Sequence, residues 1–455
     1  MATTKLDELD HGYAWIILGA SFFNLMLIIG TLRSFGIIYA ELLETYHVGA
    51  GYTAIILSIV IFLVAVGAPV SGLISTSFSF KWCTVIGGIL AGLGMVASAF
   101  TNRVEMLFLT YGVILGTGCG LALTPTLTII NFYFEKKRGL ANGILWSASG
   151  ISIIVNPTMY RQLIDKYGIH GAMIIVGGIL LNICVGASLF RQPKCFRRQT
   201  AVRLLTNNDT KGRNPKLSIR KKLIEMFNAY RFLMNNPTFL IYCTAISFAF
   251  ASNVLMFIIL PPHMLHEHFT KQDVIIVLIV VGGVELIARF VAGKLLDLGY
   301  FTVQTLFVVN MFVGGICSII FPFFRHMGIN IAYSVIFAVF PGVTQIATPM
   351  LIVSILGFKA LSTAYPLSHM IIHFVILIVS PLLGWFNDLT GSWFISFYTI
   401  GGLQILSSVI IFIERLLWKL KQKTDPVGIG QMEHTKTTET SLLEENIPMM
   451  DHNIK

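Results

Sequence analysis

Charge is the scarcest property of this sequence. Only 12% of its 455 residues are Asp, Glu, Lys or Arg, while 55% are hydrophobic and the mean hydropathy is +0.77. That balance excludes a water-soluble domain, whose surface would have to be largely apolar. A bilayer supplies the missing apolar solvent. Acids are scarcer still, 22 against 32 Lys and Arg, and the isoelectric point lies near 9.3. No basic domain with interleaved aromatics stands outside the loops, so this excess belongs to membrane topology rather than to nucleic acid. The six cysteines (Cys83, Cys119, Cys184, Cys195, Cys243 and Cys317) form no pair at metal-ligand spacing and no framework of loop cysteines. They read as small core residues, with Cys195, beside Phe196 and Arg197, a candidate for palmitoylation. A cleavable leader is also missing: residues 1–11 are polar, and the first apolar run is too long for a signal h-region. No His-Glu-x-x-His occurs, since Phe269 and Thr270 follow His266-Glu267-His268, and no Gly-rich phosphate cradle faces a soluble domain. An enzyme is therefore not expected, and no cofactor or metal is implied.

What is abundant is apolar length. A window of bilayer thickness, about 20 residues, finds twelve candidate spans. The first six are 14–38, 52–75, 82–100, 106–132, 139–159 and 169–190; the second six are 238–260, 272–295, 302–324, 330–356, 361–386 and 393–417. Every backbone polar group needs an internal partner in lipid, so these are helices and the fold class is all-α. Small residues recur along them, most densely at Gly116, Gly118 and Gly120, and favour close helix packing. With a cytoplasmic N-terminus, 25 of the Lys and Arg residues fall inside and 5 outside; Arg33 and Arg289 lie within helices. The excess puts both termini in the cytoplasm.

The segment 191–237 divides the chain six plus six and carries twelve basic residues against Asp209 and Glu225. Within it Ile219, Leu223, Met226, Phe227 and Tyr230 recur at helical spacing beside Arg220, Lys221 and Lys222. That pattern suits an interfacial helix on anionic lipid, or a solvated linker. The domain plan is therefore a short N-terminus (1–13), a six-helix half (14–190), the basic loop (191–237), a second half (238–417) and a polar, disordered tail (418–455). The glycosylation sequon Asn208-Asp209-Thr210 falls on the cytoplasmic loop and should be silent. Two six-helix halves about a central loop are the plan of the major facilitator fold, with its substrate site between the halves near the midplane.

Two stretches carry a narrower resemblance. Asp10-His11-Gly12-Tyr13-Ala14-Trp15 is similar to the signature [D/E]-G-[G/S]-[W/F]-[G/A]-W, matching at Asp10, Gly12, Ala14 and Trp15 and departing at His11 and Tyr13. Tyr133-Phe134-Glu135-Lys136-Lys137-Arg138-Gly139-Leu140-Ala141-Asn142-Gly143 matches Y-F-x-[K/R]-[K/R]-R-x-L-A-x-G throughout. On these motifs the chain resembles the monocarboxylate transporters of the major facilitator superfamily, over roughly residues 10–417. Gly384-x-x-x-Asp388-x-x-Gly391 repeats a spacing that family uses at helix ends. The superfamily's loop between helices two and three is degraded: Gly72 and Lys81 survive, with no Asp between them.

Ionisable residues inside a span are costly and are candidate functional residues by default. Glu285 and Arg289 lie four apart on one helical face. The resemblance implies that Arg289 grips a substrate carboxylate through its planar fork, while Glu285 neutralises it in the empty site and takes a proton when substrate arrives. A structural pair, or an Arg289 reaching toward Lys294, remains open. Arg33 falls where the lactate carriers have a lysine, and unlike lysine it holds its charge; it faces the substrate or reaches the outer interface. His369 and His373, also four apart, suit a polar cavity stripe, a proton relay or, lacking a third ligand, a poor metal site. His263, His266, Glu267 and His268 are expected on an outer loop after Pro261-Pro262, as a pH or metal sensor or as ordinary loop residues. Asn24, Asn131, Asn156, Asn253, Gln345 and Thr348 line the cavity or join helices.

The function implied is secondary transport of a small organic anion or zwitterion bearing a carboxylate, by alternating access and with proton symport, in the plasma membrane. A proton-independent facilitative carrier of amino acids, or a transport-dead sensor or scaffold, are the rival readings. Several relatives are escorted by a single-span glycoprotein, a partner the resemblance raises here too.

Overall fold

The computed structural model describes residues 9–38, 41, 50–101, 103–193, 215–390 and 392–424. Eleven helices in it are long and apolar enough to cross a membrane: Tyr13–Ile38 (α1), Ile55–Thr76 (α2), Phe80–Ala99 (α3), Val104–Tyr133 (α4), Arg138–Ser188, Pro237–His266 (α7), Gln272–Asp297 (α8), Val303–Phe323 (α9), Met327–Phe358 (α10), Ala360–Leu383 (α11) and Phe394–Leu417 (α12). The fifth is two crossings. Its 51 residues would run far past a hydrocarbon layer of about 30 Å. Gly168 breaks it with φ 68° and ψ 174°, a conformation open to glycine alone. We number the arms α5 (138–167) and α6 (169–188), which makes twelve crossings in an all-helical bundle. Gly357, at φ 76°, makes the corresponding break between α10 and α11. The expected spans agree with these to within a few residues, except that α5 runs on from 159 to the break at Gly168 and α7 runs on through Pro261 and Pro262 to His266. The expected palmitoylation site, the sequon, Gly391, most of the tail and residues 194–214 lie outside the described residues.

We call the face where α1 begins basal and the opposite face distal. Glycines set the helix spacing. In α4, Gly116 and Gly120 share a face: a Cβ on Gly116 would lie 3.0 Å from Val60 Cα, and one on Gly120 2.8 Å from the Leu63 carbonyl, both on α2. Gly118 presents the other side to Ala91 of α3. Between the halves α5 packs on α8 and α2 on α11. A Cβ on Gly139 would lie 2.5 Å from the Gly293 carbonyl, one on Gly150 2.6 Å from the Gly282 carbonyl, and one on Gly72 2.7 Å from the Pro366 ring. No larger residue fits at those crossings without moving a backbone.

The basal end is held by two carboxylates aimed at the start of α5. Asp10 accepts the backbone N–H of Glu135, Lys136 and Lys137 at 2.9–3.3 Å, while its own N–H donates to the Tyr133 carbonyl at 3.0 Å. Trp15 Nε1 donates to the Asp10 carbonyl, and the Trp15 ring meets Phe134 edge-on at 5.3 Å. The two signature stretches are thus one structural unit. Asp297, the last residue of α8, accepts the N–H groups of Gly139 and Leu140, both at 2.7 Å. An anion at a helix N-terminus meets unsatisfied donors and the positive end of the dipole, and this one reaches from the second half into the first. Beside it Phe358 of α10 takes the Arg138 guanidinium over its ring at 5.0 Å and Phe132 edge-on at 5.2 Å.

A further helix, Pro215–Asn235, precedes α7 on the basal face. It covers the residues that recur at helical spacing from Ile219 to Tyr230, and part of its apolar side faces protein. Ala229 and Leu233 are buried, and Tyr230 donates its hydroxyl to the Pro69 carbonyl of α2 at 3.2 Å.

Asp297→Ala removes two charge-assisted hydrogen bonds, each worth about 1.5–3 kcal/mol. The ratio of basal-closed to basal-open molecules, read by spin-label distances between α5 and α8, should fall at least about tenfold, a change of about 1.4 kcal/mol.

Candidate functional site

Helix tilt brings the ionic residues together from opposite directions. Side chains lean toward the N-terminus of their own helix. α1 begins on the basal face and α8 on the distal face, so Arg33 leans basally and Glu285 and Arg289 lean distally. The three come together near mid-bundle, with Arg33 in electrostatic range of both Glu285 and Arg289.

Glu285 and Arg289 are completely buried, with Oε1 3.0 Å from Nη2. Arg289 makes four hydrogen bonds and one ion pair. Nε donates to the Gly342 carbonyl at 2.9 Å, Nη1 to the Trp146 carbonyl at 2.6 Å and to Ser149 Oγ, and Nη2 to Gln345 Oε1 at 3.0 Å besides facing Glu285. Five N–H groups are what a guanidinium carries. Gly342 and Gln345 belong to α10, whereas Trp146 and Ser149 belong to α5, so this side chain ties the second half to the first. Gly143 makes the tie possible: a Cβ there would sit 2.5 Å from the Arg289 carbonyl. Glycine at 342 likewise leaves room for Glu285 Oε1, 3.0 Å from where its Cβ would be. Gln345 passes the chain on, donating Nε2 to Asn253 Oδ1 of α7 at 3.0 Å.

Arg33 is the opposite case. It is half-buried, its guanidinium lies 4.3 Å above the Phe257 ring, and its buried Nη1 has no protein partner among the described residues. No hydrogen bond reaches either Glu285 carboxylate oxygen, and Trp146 Nε1, Asn253 Nδ2 and both ring nitrogens of His369 likewise have no partner among the described residues. Buried polar atoms are ordinarily paired, and unpaired ones mark places where water or a solute is bound. Phe250, Asn253 and Phe257, at helical spacing on α7, are the wall these groups share. Phe250 meets Trp146 at 5.9 Å and His369 at 6.0 Å, both edge-on. His369 is buried against Tyr365, 4.6 Å away, and its carbonyl lies 2.7 Å from His373 Nδ1.

The structure therefore brings Arg33, Glu285, Arg289 and His369 into one region. It separates the distal histidines from it and corrects their expected setting. His263 lies inside α7 and not on a loop, buried between Phe397 at 4.9 Å and Phe321 at 5.7 Å. The two prolines are tolerated because neighbouring elements support the helix where its own bonds are lost. Glu267 pairs with Arg325 at 2.9 Å, tying the turn after α7 to the one before α10. Among the neutral polar residues, Asn131 accepts from Asn142 at 3.0 Å and so joins α4 to α5, while Asn253 and Gln345 belong to the Arg289 chain. Ser149, Trp146, Gly342, Phe257 and Asp297 were not anticipated from the sequence. Only Asp297 carried a signal, the spacing Gly293-x-x-x-Asp297 at the end of α8.

Residues 15–371 match the profile of the Major Facilitator Superfamily. Human monocarboxylate transporter 12 is 26% identical over 428 residues, 91% of this chain and 82% of that protein. Human monocarboxylate transporter 2 is 26% identical over 98% of this chain and 94% of its own length. Mouse monocarboxylate transporter 9 is 26% identical over 92% of this chain and 96% of its own. The crystal structure of FucP, a major facilitator superfamily transporter in the outward conformation, aligns over 88% of this chain and 98% of its own with a TM-score of 0.62 at 12% identity. That likeness shows the fold alone.

Arg289→Lys offers three donors in place of five, from a point charge. It leaves at least one buried acceptor unpaired, at about 1–3 kcal/mol each. We expect a lower melting temperature in detergent and uptake nearly as poor as in Arg289→Ala. Normal uptake and melting by the lysine variant would remove the fork from the account.

Proposed function

Because the chain belongs to the major facilitator superfamily, we propose that it moves a small organic anion or zwitterion through its carboxylate, by alternating access between the two halves and together with a proton. It is a multi-pass membrane protein and a secondary transporter related to the monocarboxylate transporters; substrate class and coupling are the proposal. The observation that carries it is the charge set inside the bundle: a fully buried Glu285–Arg289 pair with the half-buried Arg33 beside it, two arginines against one carboxylate, an excess of positive charge that an incoming carboxylate neutralises. Arg33 makes the first contact, having a donor to spare and an aromatic face beneath it. Arg289 follows, giving up oxygen partners of the first half as it does so.

Glu285 is the proton site in this reading. Ionised, it balances Arg289. Once a substrate anion competes for that arginine, Glu285 loses its counter-charge, and it is the group that takes the proton travelling with the substrate. His369 and His373 are reserves for the same role. The basal face is cytoplasmic on the Lys/Arg excess, and the plasma membrane is the proposed location. A proton-independent carrier remains the second reading, favoured by one observation: Arg33 keeps its charge at every physiological pH, where a lysine could release a proton.

Glu285→Gln mimics the protonated carboxyl. In proteoliposomes it should keep substrate-for-substrate exchange of labelled carboxylates and lose accumulation driven by an imposed pH gradient. Concentration of substrate by the Gln variant would remove Glu285 from coupling. A wild type that never responds to the gradient would favour the facilitative reading.

A further inference from the structure

The helix Pro215–Asn235 has two faces, and the bundle uses only one of them. Ala229 and Leu233 are buried in the core that α7 extends, and Tyr230 reaches the Pro69 carbonyl. On the other side Ile224 is 50% exposed, Phe227 67% and Met234 43%, with Arg231 also exposed between them. Five basic residues and one acid, Glu225, belong to the segment that forms the helix.

A face that sets large apolar groups beside a cation is poorly suited to water on both counts. Its apolar groups gain by leaving water, and the cations of the segment gain near fixed negative charge. Depth decides between partners. The helix is joined through Asn236 alone to α7, whose first turn that residue caps by accepting the Phe239 N–H at 3.1 Å. It is anchored to α2 near that helix's basal end as well. It therefore sits at the level where a bilayer's headgroups begin, beside the seam between α2 and α11.

We propose that the free face of this helix is a docking surface for anionic phospholipid headgroups, with Phe227, Ile224 and Met234 entering the acyl boundary, Arg231 engaging phosphates and carboxylates, and the fivefold basic excess of the segment drawing it to that surface. The proposal does not depend on what the transporter carries. Because the docked face holds α2 of the first half and α7 of the second, lipid on the free face steadies a helix that spans the two halves.

The test is amide hydrogen exchange of the full-length protein in nanodiscs of phosphatidylcholine alone and of phosphatidylcholine mixed with phosphatidylserine. At roughly 1 kcal/mol per basic residue near an anionic surface, exchange across the second half of the helix should slow at least about tenfold in the mixed discs. The effect should vanish in Lys216→Gln/Arg220→Gln/Arg231→Gln and in molar salt, while exchange in α5 stays unchanged. The salt arm keeps the test decisive if the triple variant folds poorly. Equal exchange in both discs, or slowing that survives both salt and charge removal, would overturn the proposal. So would slowing that appears only on adding soluble cytosolic protein, which would assign the face to a protein partner.

Discussion

The cost of burying one arginine organises this molecule. An isolated guanidinium inside a membrane protein is unfavourable by several kcal/mol, and removing either member of a buried pair leaves that cost exposed. Arg289 meets it with Glu285 and four neutral oxygens, two from its own half and two from the other. The packing around it follows. α5 and α8 must approach until the Trp146 carbonyl reaches Nη1, and glycine at 139, 143 and 150, facing 293 and 282, permits that distance. The short 3₁₀ turn Pro341–Val343 presents the Gly342 carbonyl to Nε, which a continuous α10 would have kept within its own ladder.

Such a tie has a mechanical consequence. Two sets of polar contacts join the halves through α8: the Arg289 fork at mid-bundle and Asp297 on the start of α5 at the base. Any anion that takes donors from Arg289 takes them in part from Trp146 and Ser149, and so loosens one half from the other. The lower set then stands alone, on two hydrogen bonds and the packing of Phe358 with Arg138 and Phe132. In the proposed function, binding and opening would then share atoms, which is the differential contact that a population shift requires.

Much of this was legible in the sequence because lipid imposes a strict code. Twelve apolar lengths, the division at the basic loop and the close packing at Gly139 and Gly143 all follow from backbone satisfaction and small residues. Glu285 and Arg289 were conspicuous as charges where charge is rare. Their partners were not, because a backbone carbonyl such as that of Trp146 or Gly342 is the same in every residue, and only the fold selects it. The resemblance implied Arg289 as a free anchor, yet it is held by four hydrogen bonds and an ion pair within the protein, and a donor to spare belongs to Arg33. The extension of α7 past Pro261-Pro262 was hidden for a related reason: proline punctuation presumes water, and neighbouring helices can replace the bonds that proline forfeits. Gly168 and Gly357 announce themselves only through backbone angles.

The claim that rests beneath the others is that Glu285 and Arg289 are one energetic unit. A double-mutant cycle of Glu285→Gln, Arg289→Gln and the pair together, followed by unfolding in detergent, measures it. Each single change should destabilise the protein by about 3–5 kcal/mol, because a buried charge loses its counter-charge. The double variant should recover most of that loss, giving a coupling of at least about 2 kcal/mol. Strictly additive losses would mean the two charges are held independently, and would contradict the account at its root.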